Sequence, residues 1–193
     1  MFLRKLGFTM IELLIVIAVL GILAVAVLAA INPIEQINRG RDTGSRSDAE
    51  QLLSAIDRFY ASQGYYPWQM GADDTTHEPL AWTEASAVAD ASTPTAVTMV
   101  SKLSSGGTSE LKTSFVNRIS NTTYNSLYLY NRGTPGDSTY ICFAAKSGAF
   151  MEEASTRCGD ATGASLPADL KAAIGATPAA PLCTAAAEMI CLP

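Results

Sequence analysis

One carboxylate, Glu12, stands at the head of a stretch with no means of meeting its charge. The nineteen residues from Leu13 to Ile31 carry no charge, amide or hydroxyl. A carboxylate at the centre of an apolar membrane helix costs about 2.5–3.5 kcal/mol, and less near the helix end. It still requires a cation, and the run supplies none. The chemistry offered here is therefore ion pairing. Four cysteines, Cys142, Cys158, Cys183 and Cys191, form a second group, all in the last third of the chain. None falls in a C-x-x-C pair and the single histidine, His77, is remote, which argues against zinc. An even cysteine count beyond a membrane-targeting segment reads instead as two disulfides in an oxidising compartment. Because short loops close most readily, the expected pairing is Cys142–Cys158 with Cys183–Cys191. A third group, Asp73, Asp74, His77 and Glu78, offers hard oxygen ligands but matches no cation-loop spacing, and reads as a solvated acidic turn. There is no G-x-S-x-G, no phosphate loop and no Cys/His nucleophile pairing. The reading is of a chain without catalytic residues, metal or cofactor.

The elements that must carry these groups follow from composition. The chain has 193 residues, 48% hydrophobic and 16% charged, with a net charge of −5. At about 100–200 residues per domain, that is one domain with an appendage. Apolar character is concentrated before Asn32, and the remainder is polar and rich in Ser, Thr, Ala and Gly. A polytopic membrane protein is excluded, and so is an untargeted soluble one. From Asp48 onward, eight scattered basic residues face fifteen acidic ones, which opposes nucleic-acid binding. Ala24-Val25-Ala26 could mimic a signal-peptidase site, yet a signal-peptide apolar region spans only about 7–15 residues.

After the apolar run, residues 32–46 are polar and interrupted by Pro33, Gly40 and Gly44. Ala49, Leu52, Leu53, Ile56, Phe59 and Tyr60 then mark one face of an amphipathic helix, closed by Gly64 and Pro67. The pattern predicts a near-continuous helix over 8–62, kinked or frayed around 33–46 and roughly 80 Å long at about 1.5 Å per residue. Residues 65–91 read as a loop in which Tyr65, Tyr66 and Trp68 pack the helix end. Thr93-Pro94 predicts a helix start before Ala96, Val97, Met99, Val100 and Leu103. A short helix is expected over 110–119. Leu127–Tyr130 and Tyr140–Ala145 read as strands, with a loop over 131–137. Lys146–Gly148 reads as a turn into a further strand, Ala149–Glu152, paired as a hairpin. Pro167–Ile174 reads as a last helix, closed by Gly175. The fold class is α+β: a long N-terminal helix on a small antiparallel sheet of three or so strands. Asn121-Thr122-Thr123 is an N-x-T sequon, meaningful only where a glycosylation system exists.

The stretch Lys5-Leu6-Gly7-Phe8-Thr9-Met10-Ile11-Glu12-Leu13-Leu14 resembles the processing and assembly signature of type IV pilins and pseudopilins. That signature is a short basic leader ending in Gly, then an aromatic residue, then Glu at the fifth mature position. The resemblance implies a leader over 1–7, a transmembrane and filament-core helix over 8–31, an amphipathic continuation over 32–64 and a globular head over 65–193. It implies cleavage between Gly7 and Phe8 by a prepilin peptidase, N-methylation of Phe8, and a role for Glu12 in assembly on an inner-membrane platform. A new amine on Phe8 would have a pKa near about 8 and remain cationic. One helical turn of stagger between subunits would bring one chain's Glu12 to another's amine, setting register. Small residues Ala18, Gly21, Ala24 and Ala26 allow close helix approach. The head is expected outside the cytoplasm, first on a single-pass precursor and then in an extracellular pilus. A type II secretion pseudopilin and a DNA-uptake pilin stay open as alternatives.

Overall fold

The computed structural model describes residues 7–90, 92, 96–105, 109–121, 125–134, 136–174, 181–184 and 187–193. The chain forms two units, Met1–Ile37 and Asn38–Pro193.

In the first unit, α1 spans Met10–Ala30, an apolar run without proline. Thr9 caps its start, and the backbone turns extended at Ile31. A second helix, α2, spans Pro33–Gln63. The break therefore falls at residues 31 and 32, and 33–46, expected to kink or fray, is helical. The cause is local. Asn32 Oδ1 accepts from the N–H groups of Ile34 at 3.2 Å and Glu35 at 3.4 Å, and Pro33 takes the first helical position, where its missing N–H costs nothing. Gly64, at φ +78, ends α2 as expected.

The second unit is α+β. Its strands are β1 (Leu80–Glu84), β2 (Leu127–Asn131), β3 (Tyr140–Ala144), β4 (Cys183–Thr184) and β5 (Ala187–Leu192). All pair antiparallel in the order β1-β2-β3-β5-β4, four full strands extended at one edge by the two-residue β4. Helices α3 (Met99–Ser105), α4 (Thr113–Ile119), α5 (Gly148–Cys158) and α6 (Ala168–Lys171) complete it. The sheet is buried on both faces. Leu127, Leu129, Ile141, Phe143 and Ile190 share one core with Ala49, Leu52, Ala55, Ile56 and Phe59 of α2 and with Met99, Leu103 and Phe115. On the other face Trp82, Tyr130, Tyr140, Cys142 and Met189 meet Leu170, Ala173 and Leu182. Strand alternation separates the two sets, as the period of two demands.

Several expectations are corrected. Ala149–Glu152 is not a strand: it lies in α5, where Phe150, Ala154 and Cys158 recur at helical spacing and Met151, Glu152 and Glu153 favour helix. The partner of β3 is the distant β5, in register Cys142↔Cys191. The loop over 65–91 contains β1, Leu-Ala-Trp-Thr-Glu, which carries fewer aromatic and aliphatic residues than β2 or β3 and so a weaker strand signal. The helix expected from Thr93-Pro94 begins at Met99, and residues 93–95 lie outside the described ones. Val97 stays outside the helix because Asp90 ties it back. Its N–H donates to Val97 O at 3.0 Å and its Oδ1 accepts from Val97 N at 2.9 Å. Burial pushes the Asp90 carboxyl up, but Lys102 Nζ at 2.6 Å, Ser92 and the Val97 amide outweigh that and hold it well below the usual carboxylate range. The helices expected over 110–119 and 167–174 are shorter, Thr113–Ile119 and Ala168–Lys171. Gly175, Pro135, Thr122, Thr123 and the leader residues 1–6 lie outside the described residues.

Two disulfides are present, but not in the expected pairing: Cys142 joins Cys191 and Cys158 joins Cys183. Loop length was the wrong guide, because the fold had already placed Cys142 and Cys191 opposite each other on β3 and β5, with Cα atoms 4.0 Å apart. The second bridge ties the end of α5 to β4 and pins the chain that covers the outer sheet face. Peptide mapping without reductant is expected to recover these two linkages. Replacing Cys158 and Cys183 together with alanine is expected to cost about 3 kcal/mol in chemical denaturation.

Candidate functional site

The functional candidates in the first unit sit on the first turn of α1. Thr9 and Glu12 form a reciprocal capping box, which Thr-x-x-Glu at 9–12 announces and which the charge argument alone overlooks. Glu12 N donates to Thr9 Oγ1 at 3.2 Å. In return Glu12 Oε2 accepts from Thr9 N at 2.9 Å and Thr9 Oγ1 at 2.7 Å. The carboxylate is thus aimed at the helix start, on the side of Gly7 and Phe8. Phe8 is exposed, and so is every residue of α1. This helix of 21 residues is long and apolar enough to cross a membrane, and none of its side chains is buried.

Residues 3–28 match the family described as the prokaryotic N-terminal methylation motif. The chain carries a prepilin-type N-terminal motif. It is the one that type IV pilins and pseudopilins share, and it covers Gly7, Phe8, Glu12 and most of α1. No curated protein and no solved structure matches the chain.

In the second unit, the polar residues of α2 form a buried row that the sequence reading passed over. Asp42, Ser45 and Asp48 precede Ala49 and Leu52 on the same helical face, and all five are buried. Asp42 is fully buried. Its carboxylate accepts from Lys146 N at 3.1 Å, Ser147 N at 2.7 Å and Ser147 Oγ at 2.7 Å, capping the start of α5 from across the fold. Asn125 Nδ2 donates to Ser45 Oγ at 3.1 Å and to Ala144 O at 2.9 Å. Asp48 pairs with Arg118. Arg46 meets Glu153 at 2.6 Å and covers the Phe150 ring. Burial raises the Glu153 carboxyl, but Arg46 and Arg157 together bring it below its ordinary value. The available signal was phase: these polar residues continue the apolar stripe of 49–59 backward at helical spacing.

The acidic group over 73–78 is a closed turn. Asp74 accepts from Met70 N at 2.9 Å, His77 N at 3.2 Å and His77 Nδ1 at 2.8 Å. Among the described residues, no group of three or more His, Cys, Asp or Glu side chains is placed to hold a metal. Tyr66 stacks on Trp68 and Tyr65 meets Phe59 edge-on, packing the end of α2. Five of the basic residues after Asp48 are engaged by carboxylates: Arg58 by Glu110, Lys102 by Asp90, Arg118 by Asp48, Arg132 by Asp137 and Arg157 by Glu153.

Proposed function

We propose that the chain is a structural subunit of a type IV pilus-like filament, made as a single-pass membrane precursor and assembled through α1. The observation that carries this reading is a wholly exposed apolar helix headed by one carboxylate, within a matched N-terminal methylation motif. Cleavage between Gly7 and Phe8 by a prepilin peptidase frees an amine on Phe8, and methylation of that amine preserves its charge. Glu12 of a neighbouring subunit, staggered by about one turn, neutralises it in an apolar surround where an unpaired charge is costly. Registry and charge balance then come from the same contact. The head lies outside the cytoplasm, a placement favoured by two disulfides, which persist in oxidising compartments. The filament is read as an extracellular pilus. A retraction ATPase encoded nearby agrees with that, whereas neighbouring type II secretion genes make it a pseudopilus.

Intact mass and N-terminal peptide analysis of membrane-extracted protein test the reading. The expected mature chain begins at N-methylated Phe8. A mature start after Ala26 would identify an ordinary signal peptide and overturn the proposal.

A further inference from the structure

Among the described residues, the outer face of the sheet is covered incompletely. Between α5, α6 and the β3–β5 pair lies a cavity of about 400 Å³, within the size range of small-ligand sites. Leu166, Leu170, Leu182 and Met189 supply its apolar wall. Cys158 and Cys191 also line it, and each belongs to a disulfide, so the walls are tied on two sides and resist collapse. A wall of this kind is preorganised, which lowers the ordering cost of binding.

The polar lining comes from Thr156 and Arg157 on α5, Ser165 before α6, and Tyr140 on β3, whose hydroxyl donates to Asp169 Oδ1 at 2.9 Å. Thr156 and Arg157, at the C-terminal turn of α5, line the cavity. Thr156 Oγ1 is used within the helix, donating to Glu152 O at 2.8 Å. Arg157 sends Nη1 to Cys191 O at 3.2 Å and Nη2 to Glu153 at 2.7 Å. That carboxylate is also the partner of Arg46 at 2.6 Å. Two guanidiniums therefore share one carboxylate, and Arg157, 45% exposed, is the charged side chain among the described residues that line the cavity.

We infer that this cavity binds a small apolar monocarboxylate, its hydrocarbon body against Leu170, Leu182 and Met189 and its carboxylate at Arg157. The Arg157 guanidinium selects the sign of the head group, and the apolar wall selects the body. Neither depends on α1 or on assembly, so the inference stands apart from the filament reading.

The full chain in lipid nanodiscs, labelled at methionine methyl groups, tests it with octanoate as the probe. The Met189 methyl is expected to shift saturably with a Kd of about 0.1–1 mM, while Met99 in the opposite core and Met151 on the exposed side of α5 stay still. Octylammonium, with the same body and opposite charge, is expected to bind at least about tenfold more weakly. Arg157→Gln is expected to weaken octanoate about tenfold and leave octanol unaffected, the unmoved Met99 methyl reporting an intact fold. Leu170→Trp, which fills the cavity, is expected to abolish the shift. Absence of a Met189 shift at about 10 mM octanoate, equal binding of octylammonium, or a full response in Leu170→Trp would each overturn the inference. If Leu170→Trp does not fold, the head-group comparison and Arg157→Gln still decide it.

Discussion

Glu12→Ala is expected to leave the chain in the membrane and to yield no filaments. Insertion depends on the apolar run from Leu13 to Ile31, which a carboxylate only burdens, so fractionation should find the variant in the membrane at normal or slightly higher yield. On the proposed filament reading, assembly is expected to fail because the amine on Phe8 of the neighbouring subunit loses its counter-charge in an apolar surround. Stranding one partner of a buried ion pair costs on the order of 3–5 kcal/mol, and a filament repeats that loss at every subunit. The capping box adds a second role that must be separated from the first. Alanine also removes the acceptor for Thr9, worth about 0.5–2 kcal/mol at a helix start. Glu12→Gln keeps an amide oxygen for Thr9 and loses the charge, since capping boxes take Gln as well as Glu at this position. It too is expected to give no filaments in electron microscopy of sheared material. Cleavage after Gly7 should persist in both variants, because it depends on the leader and its junction. Normal filament yield from Glu12→Gln would reduce Glu12 to a helix cap and remove charge pairing from the assembly step.

Asp42→Ala is expected to be the most damaging single substitution in the second unit. It removes the acceptor shared by Lys146 N, Ser147 N and Ser147 Oγ in a fully buried setting. Hydrogen bonds to charged groups contribute about 1.5–3 kcal/mol each, and unsatisfied buried donors carry a penalty of about 1–3 kcal/mol. Partial relaxation and water entry reduce the sum, so a loss of about 3–4 kcal/mol is expected. At about 2–4 °C per kcal/mol for a domain of this size, the melting temperature should fall by roughly 6–16 °C. Calorimetry of the full chain in nanodiscs measures it. Asp42→Asn, which keeps one acceptor oxygen, should recover part of the loss. A shift below about 2 °C for Asp42→Ala would show that the tie between α2 and α5 contributes little.

The N-terminal region is readable in one dimension because its physics is local. A run without polar groups, one carboxylate at its head, Gly7-Phe8 before it and Thr-x-x-Glu at its start are properties of consecutive residues. So are the apolar stripe from Ala49 to Phe59, the stop at Gly64 and the strands at 127–131 and 140–144. What eluded the sequence reading is what distant residues decide for one another. Lys146–Glu152 resembles a turn and strand until Asp42, more than a hundred residues earlier, accepts the amides that begin α5. The cysteines suggest near-neighbour bridges until β5 pairs with β3 and sets Cys191 opposite Cys142. Asp42 and Ser45 lie in the polar segment expected to kink or fray until Lys146, Ser147 and Asn125 supply their donors. In each case a local preference worth a few tenths of a kcal/mol to about 1 kcal/mol yields to burial, whose consequences are several times larger and appear only once the chain has folded over itself.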